Sequence, residues 1–226
     1  MHFITLIYGL IISILHYLSD FISIRFIKYK EKILSFGAGI SIAYLFLELL
    51  PQMHETVNAL KKISYISILI GFASFHLAEK YVYQHSRRDE RIEKLGHIHS
   101  AGFFIYYLII GIVLYYLTEK SLVEGTLFLI PIVFHSAVSS ASFKEIHGRL
   151  KEKWHIKVFL SSSTIIGILI AIYIGVSQNV YYAMLGFVVG ALFYVIIKDI
   201  LPEQKEGDPK YFLAGMVLFI LLLLVV

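Results

Sequence analysis

The sequence HSAVSS, residues 135–140, places polar groups inside an otherwise apolar segment. On a helix, His135, Ser139 and Ser142 would stand at positions i, i+4 and i+7 and would share one face. Polar groups at the depth of a bilayer cost free energy unless they face protein, water or a ligand. The stretch therefore predicts a solute path. Its hydroxyl-bearing residues are Ser136, Ser139, Ser140 and Ser142.

Other ionisable residues also stand in apolar segments, where they are candidates for function. His16 and Asp20 are four residues apart in the first segment and could form a His–carboxylate pair on its inner half. Glu48 precedes Pro51 by about one helical turn and could relay a proton or a cation.

A second serine cluster, Ser161, Ser162, Ser163 and Thr164, could line the same path as the serines that follow His135. The alternative is structural. Small residues let membrane helices approach closely, and a serine hydroxyl can bond to a carbonyl of its own helix. The sequence leaves both interpretations open.

The composition indicates a membrane protein, because 58% of the residues are hydrophobic, 16% are charged, and the charges cluster between long uncharged segments. The chain has no cysteine, which excludes disulfides and thiolate metal sites. We attribute the net charge of +4 to segments facing anionic lipid rather than to nucleic-acid binding. There is no HExxH motif and no nucleotide-binding glycine loop, so an enzyme is not expected.

Eight apolar segments predict membrane-spanning helices that together form one all-α transmembrane domain, residues 1–226. The first lacks a basic region and a cleavage site, and is expected to be a retained helix rather than a signal peptide. Pro51 is expected to end the second helix. The predicted spans are Phe3–Phe26, Ile33–Leu50, Ile63–Tyr83, Ile98–Leu117, Leu122–Phe143, Val158–Val176, Val180–Leu201 and Tyr211–Val226.

The distribution of basic residues predicts the orientation in the cell membrane. If the N-terminus lies outside, the connecting segments on the inner side receive most of the lysines and arginines. Lys61, Lys62 and Lys120 remain on the outer side. Cytoplasmic loops are enriched in basic residues, so both termini are predicted outside the cytoplasm. A homodimer is one arrangement that the sequence leaves open.

An internal repeat is visible when Leu50-Pro51 is aligned with Leu201-Pro202, since Glu48 then coincides with Asp199. The two segments would cross the membrane in opposite directions, as in transporters with inverted repeats. Chance similarity between two apolar helices that each end near a proline is the alternative.

The chain resembles the ZIP (zinc/iron permease) transporters over nearly its whole length. The resemblance lies in the eight predicted spans, the Leu-Pro ends of the second and seventh, and the segments Phe75–His85 and Lys157–Gly175. The family has an HNxxDG-like motif in its fourth helix and an HExPHE-like motif in its fifth. Residues 97–102 (HIHSAG) and 135–140 (HSAVSS) align with these motifs. His97 and His135 match the first histidines, whereas Ala101, Ser136 and Ser140 replace acidic residues and Ser139 replaces a histidine.

The resemblance implies an eight-helix bundle in which helices 1–3 and 6–8 form an inverted repeat around helices 4 and 5. It also implies transport of a divalent cation, Zn²⁺ or Fe²⁺, toward the cytoplasm by alternating access. His97 and His135 would be metal ligands, and Ser136, Ser139 and Ser140 would complete the site or line the path. His99, about 200° around the helix from His97, is a further candidate ligand.

Two alternatives remain at this point. The two histidines of the motifs could form a packed hydrogen-bonded contact instead of a metal site. The chain would then be a ZIP-like protein that carries another solute or serves as a non-transporting membrane partner.

Overall fold

The computed structural model describes residues 1–25, 29–55, 58–85, 91–147, 154–197 and 207–226. Within these ranges, some side chains lie outside the described part. They belong to residues 19–25, 30, 55, 58–61, 79, 91–99, 137–147 and 155–156. The described backbone forms helices and no strand, which confirms the predicted all-α class.

The helix bounds follow the apolar segments closely, because charged and polar residues flank each apolar run. The helices are α1 (His2–Arg25), α2 (Lys30–Tyr44), α3 (Leu50–Glu55), α4 (Asn58–His85), α5 (Arg91–Lys120), α6 (Leu122–His147), α7 (Trp154–Ser161), α8 (Ser163–Tyr173), α9 (Gln178–Val195) and α10 (Pro209–Val225).

The prediction that Pro51 ends the second helix is wrong. A π-helical turn, Leu45–Leu49, connects α2 directly to α3, and the helix continues through Pro51 to Glu55. The N–H of Leu50 bonds to the carbonyl of Leu45, five residues back. Proline normally breaks a helix because its ring meets the carbonyl four residues earlier. The wider π turn gives the ring room at this position.

The sixth predicted span is divided at Ser162 into α7 and α8. Ser161, Ser162 and Ser163 donate hydrogen bonds to the carbonyls three residues before them, at 3.0, 2.8 and 2.8 Å respectively. The backbone bonds of Ser162 to Val158 and of Ile166 to Ser162 remain at 3.0 Å, so the division is a local irregularity in a continuing helical path.

Three helical segments of the described chain are long and apolar enough to cross a membrane: Glu31–His54, Ser100–Lys120 and Gln178–Val195. Shorter apolar helices are His2–Leu18, Leu122–Ser136, Ser163–Tyr173 and Pro209–Val225. Their lengths and compositions suggest a membrane protein.

The helices pack in pairs around a common core. α4 packs along α9, α2 along α10, α5 along α8 and α1 along α6, and α5 also contacts α6. Aromatic residues fill the centre, where the largest fully buried side chains are Tyr44, Tyr106, Tyr107, Phe128 and Phe219.

Pairs of glycines bring three of these helix pairs into backbone contact. A Cβ on Gly111 would meet the carbonyl oxygen of Thr164 in α8, and a Cβ on Gly167 would meet that of Leu108 in α5. The other glycine pairs, with the same reciprocal geometry, are Gly71 with Gly190 and Gly39 with Gly215. Close approach of this kind is how small residues stabilise helix pairs in membranes.

We expect Gly167→Ala to destabilise the bundle by about 1–3 kcal/mol, because the added methyl group would force α8 away from the α5 backbone. Gly102→Ala is the matched control, since the nearest atom to its added Cβ is Phe75 Cε1 at 3.8 Å. Thermal unfolding in detergent, followed by circular dichroism, measures the difference. Equal unfolding midpoints for the two variants would show that the contact at Gly167 does not limit stability.

Candidate functional site

The centre of the candidate site is His135, which α6 places where α1, α5 and α6 meet. The imidazole is fully buried. Neither of its ring nitrogens has a hydrogen-bond partner among the described residues. Buried polar atoms are nearly always bonded to protein, water or a ligand, so an unbonded imidazole marks a place where a solute could bind.

Aromatic rings enclose this imidazole. Phe103 and Tyr107 stack on it with ring centroids at 6.2 and 6.0 Å, and Tyr106 approaches edge-on at 5.7 Å. All three come from α5, where the spacing i, i+3 and i+4 puts them on one face. They form an aromatic box around His135.

His16 joins the site from α1. Its ring lies 4.8 Å from that of Tyr107, centroid to centroid. Tyr107 thus lies within ring-contact distance of both imidazoles. Its hydroxyl accepts a hydrogen bond of 3.0 Å from Ser136, next to His135 in α6. The hydroxyl of Tyr106 is buried and has no partner in the described part of the chain.

The site lies deep in the bundle, about 20 Å along α6 from its first residue, at 1.5 Å per residue. Two contacts run toward that end of α6. His2 Nδ1 lies 3.5 Å from Glu119 Oε1, and the hydroxyls of Tyr8 and Thr126 are 2.8 Å apart. These contacts align α1 with α5 and α6, so that His16, Tyr107 and His135 reach the same depth.

Several predicted site residues belong to these helices but have side chains outside the described part. Asp20 is in α1, one turn after His16. His97 and His99 are in α5, before Phe103. Ser139 and Ser140 follow Ser136 in α6. Their roles as ligands or path-lining groups stay predictions.

Two other predicted path residues have described contacts away from the aromatic box. Ser162 donates to the carbonyl of Phe159 at 2.8 Å, at the break between α7 and α8. Glu48 lies in the π turn and accepts a hydrogen bond of 3.1 Å from Gln52. It acts electrostatically on the buried Tyr44 together with Tyr181 and Glu124. Their roles in a path also stay predictions.

Sequence reasoning did not single out the residues of the aromatic box. The available signal was two adjacent tyrosines, Tyr106 and Tyr107, in a predicted span, one turn after Phe103. Tyrosine is common in membrane helices as an interfacial residue, so its type alone does not point to a buried site.

The described side chains of this site are imidazole, phenol and hydroxyl groups. Across the described residues, no three His, Cys, Asp or Glu side chains come together as a metal site would require. The described part of the site can therefore supply neutral nitrogen and oxygen donors to an ion, or a polar, aromatic surface to an uncharged solute.

We expect His135→Phe to leave the free energy of unfolding unchanged or raise it by up to about 1 kcal/mol. The substitution removes two unbonded polar atoms and keeps a flat ring in the aromatic box. Ser136→Ala is the comparison, and should cost about 1 kcal/mol because it removes the hydrogen bond to Tyr107. Unfolding in detergent measures both. A clear loss of stability in His135→Phe would show that the folded protein bonds this imidazole.

Comparison with known proteins gives no family for this chain: no family model matches it, and no curated protein matches its sequence.

Proposed function

We propose that this chain is a membrane transporter of divalent metal cations of the zinc/iron class, with a ZIP-like organisation. The observation that supports it best is His135, a fully buried imidazole with two unbonded nitrogens that is linked to His16 through Tyr107. Imidazole is a common ligand of zinc and iron. The transported Zn²⁺ or Fe²⁺ is a substrate rather than a resident cofactor.

The proposed ligand set extends beyond the two described imidazoles. A divalent ion held by neutral groups alone would keep its full charge in a medium of low dielectric constant, which is costly. The carboxylate of Asp20, one turn from His16, would offset this charge. One of His97 and His99, which stand about 200° apart around α5, would supply a further nitrogen, and Ser139 and Ser140 would continue the path along α6.

We also propose that the helices form eight spans in one domain. α2, the π turn and α3 make the second span, and α7 with α8 makes the sixth. The remaining helices, α1, α4, α5, α6, α9 and α10, each make one span. The protein would then cross the cell membrane several times with both termini outside the cytoplasm, as the distribution of basic residues predicts.

The helix contacts support an inverted repeat. In such a repeat, spans 1, 2 and 3 correspond to spans 6, 7 and 8 respectively, and span 4 corresponds to span 5. The contact between α4 and α9 then becomes the contact between α10 and α2, and that between α5 and α8 becomes that between α6 and α1. A pseudo-two-fold axis in the membrane plane would produce this exchange, and substrate sites of such transporters lie at the repeat interface.

The register within the two halves supports the same proposal. Gly39 and Gly190 stand at equal distances before Pro51 and Pro202, and both make close backbone contacts. The π turn that begins at Leu45 also has a counterpart, because residues 196–197 are π-helical at the equivalent position. Alternating access would then involve movement of one group of helices against the other around His135.

The rival function is a ZIP-like protein that has lost its metal site and carries another solute or is a non-transporting partner. The aromatic box favours it, because the described side chains around His135 are uncharged rings and hydroxyls. Such a surface would suit a solute without a double positive charge.

Reconstituted vesicles separate the two functions. We expect the parent chain to take up Zn²⁺ or Fe²⁺, and we expect His135→Phe to reduce uptake at least about tenfold, since it removes a proposed ligand. Tyr173→Phe, at a highly exposed position at the end of α8, is the control and should keep parental uptake. If the parent moves neither ion, the metal-transport proposal fails and the rival remains.

The proposed orientation can be tested by single-cysteine labelling, because the parent chain has no cysteine. Ser177→Cys, in the segment between α8 and α9, should react with a membrane-impermeant maleimide added to intact cells. Gln84→Cys, near the end of α4, should react only after the membrane is opened. Both positions are exposed in the structure. The reverse labelling pattern would invert the orientation.

A further inference from the structure

A second group of buried polar atoms lies near the ends of the helices that face away from the cytoplasm in the proposed orientation. Tyr44 is fully buried, and its hydroxyl has no hydrogen-bond partner among the described residues. Glu124, in the first turn of α6, binds Lys120 Nζ through Oε1 at 2.9 Å. Its other oxygen, Oε2, is buried and has no described partner.

These unbonded groups lie close together. The ring of Tyr44 packs on that of Phe128 with centroids 6.1 Å apart, and Phe128 is one turn after Glu124 in α6. The ionisable groups that act electrostatically on the Tyr44 hydroxyl include Glu48 and Glu124. A buried phenol without a described partner thus lies in the neighbourhood of two carboxylates, one in the π turn and one in α6.

We propose that Glu124, Glu48 and the hydroxyl of Tyr44 form a second cation site, at the outer end of the bundle, for a divalent cation that prefers oxygen ligands. Two carboxylates supply negative charge, and the phenol supplies a third oxygen. Such donors suit Mn²⁺, Mg²⁺ or Ca²⁺, which bind carboxylates and keep part of their water shell. A cation bound here would give Glu124 Oε2 and the Tyr44 hydroxyl the partners that the described protein groups do not provide.

Lys120 is the natural competitor at this site. Its ammonium occupies the first oxygen of Glu124, and its side chain is 63% exposed. A cation arriving from water would share the carboxylate with an ammonium group that can move outward. The site would therefore bind and release ions readily, as is required of a site at which an ion binds on the outer side before it moves inward.

The outer site and His135 belong to one stripe of α6, in which Glu124, Phe128, Ile132 and His135 are spaced by three or four residues. Phe128 and Ile132 are fully buried between the two sites. The separation along the helix is about 16 Å. In this conformation apolar side chains occupy the route between the sites, so an ion could pass only after they move. This link rests on the proposed function, whereas the outer site itself does not require transport.

Binding of Mn²⁺ to the purified chain in nanodiscs of zwitterionic lipid tests the site, with free Mn²⁺ measured by electron paramagnetic resonance. The measurement uses the His135→Phe background, so that the central imidazole does not contribute. We expect Glu124→Gln to weaken binding by about tenfold, because the charge of the ligand set controls affinity. Tyr44→Phe, which keeps the ring and removes the hydroxyl, should weaken binding less.

Lys120→Met should have the opposite effect and strengthen Mn²⁺ binding several-fold, because it removes the competing ammonium. Glu119→Gln is the matched control: Glu119 is near the same end of α5 but contacts His2 instead. Its binding should equal that of the background. Unchanged binding in Glu124→Gln, or weaker binding in Lys120→Met, would overturn the site. Mn²⁺ binding without Zn²⁺ uptake would retain the outer site while rejecting metal transport.

Discussion

Backbone contact at glycines holds three helix pairs together and sets how the other helices pack. Between membrane helices the hydrophobic effect gives little driving force, so close packing must replace it. Three reciprocal glycine pairs bind α2 to α10, α4 to α9 and α5 to α8 with no room for a side chain between them. Once these pairs are in place, one face of α5 is fixed toward α1 and α6. The aromatic box around His135 forms on that face.

Buried polar atoms without partners divide the interior into two chemical environments. The centre has imidazole nitrogens within aromatic rings, and the end of the bundle where α6 begins has carboxylate and phenol oxygens. Unmade hydrogen bonds destabilise a folded protein, so the unpartnered atoms of Glu124 and His135, both on one stripe of α6, are consistent with ligands that complete them. A cation that moved from the carboxylate and phenol oxygens to His135 would lose bound water and gain an imidazole ligand.

Irregular turns mark where the helices depart from simple spans. The π turn before Pro51 lets the helix continue to Glu55, and the serines around Ser162 lie where the sixth predicted span is divided into α7 and α8. Sequence patterns predicted the approximate positions of the helices, because charged and polar residues flank each apolar run. They did not predict the irregular turns, since those depend on which carbonyl each N–H or hydroxyl reaches in the folded chain.

Residue types and their spacing were enough to predict the all-α class and the approximate helix bounds, and to single out His16 and His135 as unusual residues in apolar segments. Residue type is sufficient to single out these two histidines, because an ionisable side chain within an apolar helix costs free energy wherever that helix packs. The contact of Tyr107 with both imidazoles and the proximity of Glu124 to Tyr44 could be found only in the folded chain. These residues are far apart in the chain, and their meeting depends on which helix faces the glycine contacts bring together. Glu124 in particular looks like an ordinary partner of Lys120 in sequence, and its buried second oxygen becomes visible only in the folded bundle.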